Sequence, residues 1–393
     1  MDLSVQFCGL SLKNPLMAGS SDCSRSMVPF RKIVESGIGA VVLKSVTDVA
    51  SLQKASITRF LCLNGELEPW KCGQPIGGFY SRGGAMLREE DWVKIARQQL
   101  LLASENNVRL IGNICASTLE NWTHLARVME DTGIGILELN LGNPHYAAPQ
   151  KPMGARIAQS EEILAEVVGA VVQSVSVPVI AKLSTQVGDI VQVARIVQRA
   201  GASAVTMSHR FQGLLVDIQK QEPRSSTLFG YGGRWMLPIV LGYVAKIARE
   251  IPITICGSGG VSTGSDVLQM MMVGARTVQV TTALMLKGMD LVPEMLKDIE
   301  GFCVQHGLNK VDELIGSALG KEGALDRIDE DAHADIRDKS FCLRCVNKPC
   351  VGACYFDAIH SKEDQSVEIS TDHCIACGLC LQVCPFPGAI TEC

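Results

Sequence analysis

The chain has 393 residues, 36 basic against 41 acidic side chains, a net charge of −5 and 47% hydrophobic residues. That acidic balance gives no attraction to nucleic acid or to an anionic membrane surface. No charge-free apolar stretch is long enough to span a bilayer, and the opening Met-Asp-Leu-Ser-Val lacks the basic and apolar regions of a secretory signal, so a cytoplasmic protein is expected.

From residue 1 to about 310, short apolar runs alternate with longer amphipathic stretches. The runs read as strands are Pro15–Ala18, Ala40–Leu43, Arg109–Asn113, Ile136–Asn140, Val179–Lys182, Ala204–Met207, Thr254–Cys256 and Thr277–Val280. Between them lie helical patterns such as Glu161–Gln173 and Ile190–Arg199, and Gly201 and Gly274 sit where helices end. This is an α/β pattern. Eight such units close into a (β/α)8 TIM barrel, with a doubly wound open sheet as the alternative. The seventh strand leads into Gly257-Ser258-Gly259-Gly260-Val261 and the eighth into Thr281-Thr282-Ala283. In a barrel, loops at these two places bind phosphate through backbone amides. No G-x-G-x-x-G motif opens a helix, so the phosphate belongs to a mononucleotide rather than a dinucleotide. Residues 286–319 still read as helical and are expected to pack on the barrel. Charge then displaces periodicity, which divides the chain into a barrel (1–319), a linker (320–340) and a small domain (341–393).

That small domain holds nine of the 16 cysteines, eight of them in two spaced runs. Cys342, Cys345, Cys350 and Cys354 follow C-x2-C-x4-C-x3-C, and Cys374, Cys377, Cys380 and Cys384 follow C-x2-C-x2-C-x3-C with Pro385 next. The second run has the bacterial ferredoxin spacing and the first is the same pattern with two residues inserted, so two [4Fe–4S] clusters are expected. In such domains the fourth cysteine serves the other cluster. One cluster then takes Cys342, Cys345, Cys350 and Cys384, the other Cys374, Cys377, Cys380 and Cys354. A pair of zinc knuckles is the rival reading. So small a fold lacks core volume, and its clusters should organise it.

Asn14-Pro15-Leu16-Met17-Ala18-Gly19-Ser20, Leu43-Lys44-Ser45, Leu137-Glu138-Leu139-Asn140-Leu141, Ala181-Lys182-Leu183 and Cys256-Gly257-Ser258-Gly259-Gly260-Val261 resemble the dihydroorotate dehydrogenase family. Within it, the likeness is to the pyrimidine-reducing part of dihydropyrimidine dehydrogenase and its bacterial catalytic subunit. The resemblance implies FMN at the top of the barrel. Its cofactor-binding residues would be Ala18, Gly19, Lys44, Asn113, Asn140, Lys182, Gly233, Gly259, Gly260, Thr281 and Thr282, with Asn140 on the side that faces the substrate. Lys182 would lie by the flavin's N1/O2 edge.

The departures from that family are equally informative. Where it carries Asn-Leu-Ser-Cys-Pro, or serine for that cysteine, this chain has Asn140-Leu141-Gly142-Asn143-Pro144. An amide at Asn143 cannot exchange a catalytic proton at neutral pH. Where the pyrimidine enzymes place an Asn-Thr pair, this chain has His209-Arg210, and their further asparagine falls near Thr118. Arg210 suits a carboxylate, phosphate or thioester-bearing substrate. His209, Tyr146 or His145 are the candidate proton donors. The expected activity is redox chemistry at a C=C/CH–CH bond of a small non-pyrimidine substrate. Electrons would pass through the clusters to a partner subunit or a ferredoxin, and a homo- or hetero-oligomer is expected by analogy. The alternatives are a dihydropyrimidine or dihydroorotate dehydrogenase subunit and an electron-transfer subunit with no organic substrate of its own.

Overall fold

The computed structural model describes residues 1–54, 59–71, 74, 76–82, 85–143, 154–224, 228–321 and 332–392. They form two compact units, Met1–Gly320 and Lys321–Cys393. In the first unit eight parallel strands close on themselves: β1 (Leu16–Ala18), β2 (Ala40–Val42), β3 (Arg109–Ile114), β4 (Leu137–Asn140), β5 (Val179–Lys182), β6 (Ala204–Met207), β7 (Thr254–Ser258) and β8 (Thr277–Val280). β1 completes the ring by pairing with both β2 and β8, which excludes the open sheet. The strands are buried on both faces, as their near-continuous apolar composition requires, because helices cover the outside and side chains fill the inside.

The helices follow from local signals. Helix α1 (Met27–Glu35) follows β1, and α2 (Glu89–Glu105), α3 (Leu119–Asp131), α4 (Glu161–Ser174) and α5 (Ile190–Arg199) follow in turn. Asp189 caps α5 by accepting from Val191 and Gln192 N–H at 2.9 and 3.2 Å, and Gly201 ends it at φ +98°. Helices α6 (Leu237–Glu250), α7 (Gly264–Met272) and α8 (Leu291–Gln305) complete the layer. Thr263 and Asp266 form a reciprocal capping box at the start of α7. Beyond α8 the helical expectation for 286–319 holds only in part, since a single 3-10 turn at Val311–Leu314 follows among turns.

Two features depart from the sequence reading. Phe60–Leu63 and Gly78–Ser81, in the connection after β2, pair with Phe211–Gly213 and Phe229–Gly232, after β6, in a four-stranded antiparallel sheet. Tyr80, Tyr231 and Trp235 stack along it, with centroids 4.2 and 4.9 Å apart. Ala334–Ile336, assigned above to the linker, is instead a strand of the second unit paired with Ile390–Glu392. Its alternating pattern is too short to register as periodic, and its partner lies more than fifty residues on. A second antiparallel pair, Ile359–Ser361 with Val367–Ile369, and short helices at Lys339–Arg344, Pro349–Ala353 and Leu379–Val383 complete that unit.

Candidate active site

Alternation along the strands puts a polar cluster inside the barrel mouth. Glu138 and Asn140 are two apart on β4 and share its inner face. Glu138 is fully buried and accepts hydrogen bonds from Asn113 Nδ2 at 2.8 Å, Thr206 Oγ1 at 2.7 Å and Gln279 Nε2 at 2.6 Å. Lys182 Nζ donates to Gln279 Oε1 at 2.7 Å and lies 3.6 Å from Glu138 Oε1. Ser45 donates to Asn113 Oδ1 at 2.5 Å and accepts from Asn140 Nδ2 at 3.3 Å. Strands β2, β3, β4, β5, β6 and β8, or the residues just after them, thus meet in one network. A buried carboxylate is tolerated when its acceptor sites are filled and a cation stands beside it.

Above this network a cavity of about 560 Å³ opens at the C-terminal ends of the strands, where barrel active sites lie. It brings together most of the residues singled out from the sequence: Lys44, Asn113, Asn140, Asn143, Lys182, His209, Arg210, Gly233, Gly259, Gly260, Thr281 and Thr282 all line it. Ala18 and Gly19 do not; the wall begins at Ser20. Gly19 is packed so closely on Thr281 that any side chain there would strike its hydroxyl. Tyr146 and His145 lie outside the described residues.

Gly259 and Gly260 have φ of +116° and +79°, and a Cβ on Gly260 would lie 2.5 Å from Leu237 N at the start of α6. Both glycines are therefore dictated by the turn. Asn143, His209 and Arg210 are held differently. Asn143 hydrogen-bonds the Cys115 thiol, which burial pushes up to about 12. The Nδ1 of His209 accepts from Arg210 N–H at 2.9 Å, so the neutral ring carries its proton on Nε2. Arg210 donates through NH1 to Ser81 Oγ on the added sheet.

Several lining residues were not anticipated. Asp22 holds Lys44 Nζ at 3.1 Å with one oxygen and Arg59 NH1 at 2.8 Å with the other. Arg234, near the glycine turn, pairs with buried Asp266 at 2.8 and 3.0 Å. Burial holds Lys44 below the usual lysine range, with Asp22 acting against the shift. Phe60 and Phe79 of the added sheet, stacked at 5.4 Å, also face the cavity. Asp22 opens a short 3-10 turn and Arg59 lies in a loop, where no periodicity exposes them, whereas Glu138 could have been found by its parity with Asn140.

In the second unit, Cys354, Cys374, Cys377 and Cys380 line one small pocket. Burial raises the Cys350 thiol, and Cys342, Cys384 and Cys345 are the neighbouring thiols that raise it further. Backbone amides point at sulfur from Ala334 to Cys374 and from Ala358 to Cys354, each at 3.4 Å.

Comparison with known proteins agrees with this geometry. Residues 2–302 match the dihydroorotate dehydrogenase family. The chain belongs to that family. Residues 367–387 match the 4Fe-4S binding domain. This dihydroorotate dehydrogenase family member is 29% identical over 318 residues to the dihydroorotate dehydrogenase B (NAD(+)) catalytic subunit of Methanothermobacter thermautotrophicus, covering 80% of this chain and 98% of that one. The corresponding subunit of Thermoplasma volcanium is 27% identical over 323 residues, covering 81% and 99%. The NAD-dependent dihydropyrimidine dehydrogenase subunit PreA of Escherichia coli (strain K12) is 25% identical over 404 residues, covering 98% of this chain and 94% of its own. That likeness runs through the cysteine-rich unit as well as the barrel. The family member is accordingly an oxidoreductase acting on CH–CH donors. No described helix is long and apolar enough to cross a membrane.

Proposed function

We propose that the chain binds FMN and two [4Fe–4S] clusters and exchanges hydride with a C=C/CH–CH bond of a small, non-pyrimidine substrate bearing a carboxylate or thioester. The observation that carries this reading is the split character of the cavity, with a family-like cofactor side and a substrate side where Asn143, His209 and Arg210 replace the family's residues.

The cofactor side fits FMN. Asn140 Oδ1 is buried without a hydrogen-bond partner, as a carbonyl awaiting a ligand donor would be. The Gly259–Gly260 turn and Thr281–Thr282 supply backbone amides for a phosphate, and Lys182 supplies a cation beside the ring. Bound there, the flavin would take up two electrons as hydride and release them singly. Glu138 and Gln279 hold Lys182 in place. His209, once protonated to imidazolium with release of its Arg210 hydrogen bond, would deliver a proton to the substrate carbon not reached by hydride, while Arg210 orients the substrate. The aromatic residues Phe60 and Phe79 keep water from the reacting face. The eight cysteines of the two runs would carry the clusters, which would pass electrons to a redox partner subunit or a ferredoxin.

The test is anaerobic reoxidation of the reduced flavin. An unsaturated carboxylate or thioester should reoxidise it and uracil or orotate should not. Reoxidation by uracil or orotate would establish instead the dihydropyrimidine or dihydroorotate reading, which the full-length likeness to the Escherichia coli subunit favours. A flavin that cycles with electron carriers and with no organic acceptor would establish an electron-transfer subunit.

A further inference from the structure

The chain is acidic, yet its cavity is not. Among the described residues seven basic side chains line it, Lys44, Arg59, Arg82, Lys182, Arg210, Arg234 and Lys287, against the single carboxylate of Asp22. Two of these cations have carboxylate partners behind the wall: Lys182 has Glu138, and Arg234 has Asp266. Asp22 is shared between Lys44 and Arg59. Arg210 forms no ion pair among the described residues; its guanidinium rests on the Ser81 hydroxyl. The added sheet sets Arg210 beside Arg59, because Ser81 is the cross-strand partner of Phe60 and Arg82 N–H bonds Arg59 O at 2.8 Å. Arg59 also keeps Nε buried without a hydrogen-bond partner. Two guanidiniums are thus brought together, one with a spare donor and the other in no direct ion pair among the described residues, and the carboxylate that also acts on Arg210, Asp22, is already paired with Lys44 and Arg59. Burial and then Arg59 push Arg210 down to about 10, so it remains charged at neutral pH.

Resting on the function proposed above, we infer that Arg59 and Arg210 form an anion subsite that binds the head group of the substrate as a carboxylate or phosphate, and that a neutral thioester end alone does not occupy it. Planar guanidinium forks suit both oxyanions, and a ligand anion supplies the charge that Asp22 cannot. Hydrogen bonds to charged groups contribute enough that removing either fork should weaken binding by about tenfold or more.

The experiment titrates the oxidised, cluster-loaded holoenzyme with crotonate, inorganic phosphate and neutral crotonamide, reading the visible difference spectrum of the flavin. Arg59→Gln, Arg210→Gln and Arg210→Lys are compared with wild type, and Arg276→Gln, altered where Arg276 pairs with Asp312 outside the cavity, is the control. We expect the anions to perturb the spectrum and crotonamide not to. Each Gln variant should weaken the anions by tenfold or more, Arg210→Lys by less, and the control should not change. Crotonate binding more tightly than phosphate would assign the head group as a carboxylate, and the reverse order as a phosphate. Anion affinities unchanged in both Arg210 variants, or crotonamide binding as tightly as crotonate, would overturn the subsite. Flavin turnover with uracil would overturn the proposed function separately, because the anion titration needs no turnover.

Discussion

At the scale of single residues, the site divides into groups proposed to hold the cofactor and groups proposed to meet the substrate. His209 is fixed by the Arg210 amide with its proton on Nε2. Exchanging His209 for Gln should lower kcat on the true acceptor by about 10²–10⁴-fold, the usual share of a positioned acid, with flavin content retained; stopped-flow reoxidation measures this. Glu138 has a structural burden instead. It accepts from three side chains and lies beside Lys182. Glu138→Ala leaves that lysine buried and uncompensated, and should cost about 3–5 kcal/mol in urea unfolding. Asn140, Lys182, His209 and Arg210 were legible in the sequence because they stand at or just beyond the ends of apolar strands, where side chains reach a barrel mouth. Asp22 and Arg59 were not, since nothing in the sequence of these connections says that their charges converge with Lys44 after β2 and with Arg210 after β6.

At the scale of elements, the eight barrel strands were readable to within a residue or two because a strand buried on both faces is a short apolar run bounded by polar turns. The four-stranded sheet was invisible for the opposite reason. Its strands are three or four residues long and come from two distant connections, so only tertiary pairing defines them. The Gly259–Gly260 turn was legible by composition, and its geometry explains the requirement. Gly260→Ala would place a Cβ 2.5 Å from Leu237 N at a φ of +79°. We expect this variant to lose bound flavin and to unfold at a lower temperature, with a penalty of about 1–3 kcal/mol; flavin fluorescence and a thermal melt check it. Thr263→Ala removes half of a capping box and should cost only about 1 kcal/mol without loss of flavin.

At the scale of the whole molecule, buried thiols set a pH limit on the barrel. Burial pushes Cys8, Cys115 and Cys256 from 9.0 up to about 12. An acid raised on folding binds more protons in the folded state between those values, so its contribution is complete below pH 9.0 and lost as pH rises toward 12. Urea midpoints should therefore fall between pH 9 and pH 11, and Cys256→Ala should flatten that fall. In the second unit the apolar core is slight: Ile336, Ile359, Val367 and Ile390 pack with Cys342, Cys350 and Cys380. A core so small is consistent with clusters organising the fold. The division into barrel and cysteine-rich unit could be read from composition. The boundary was harder to place, because Ala334–Ile336 pairs with a strand at the far end of the chain.

The most direct measurement is the cofactor content of the full chain purified without oxygen, from acid-extracted flavin, iron and the visible spectrum together. One FMN and about eight irons per chain, as two four-iron clusters require, is the expected result. Zinc in place of iron, or a barrel that carries no flavin, would contradict the redox function and leave only the fold.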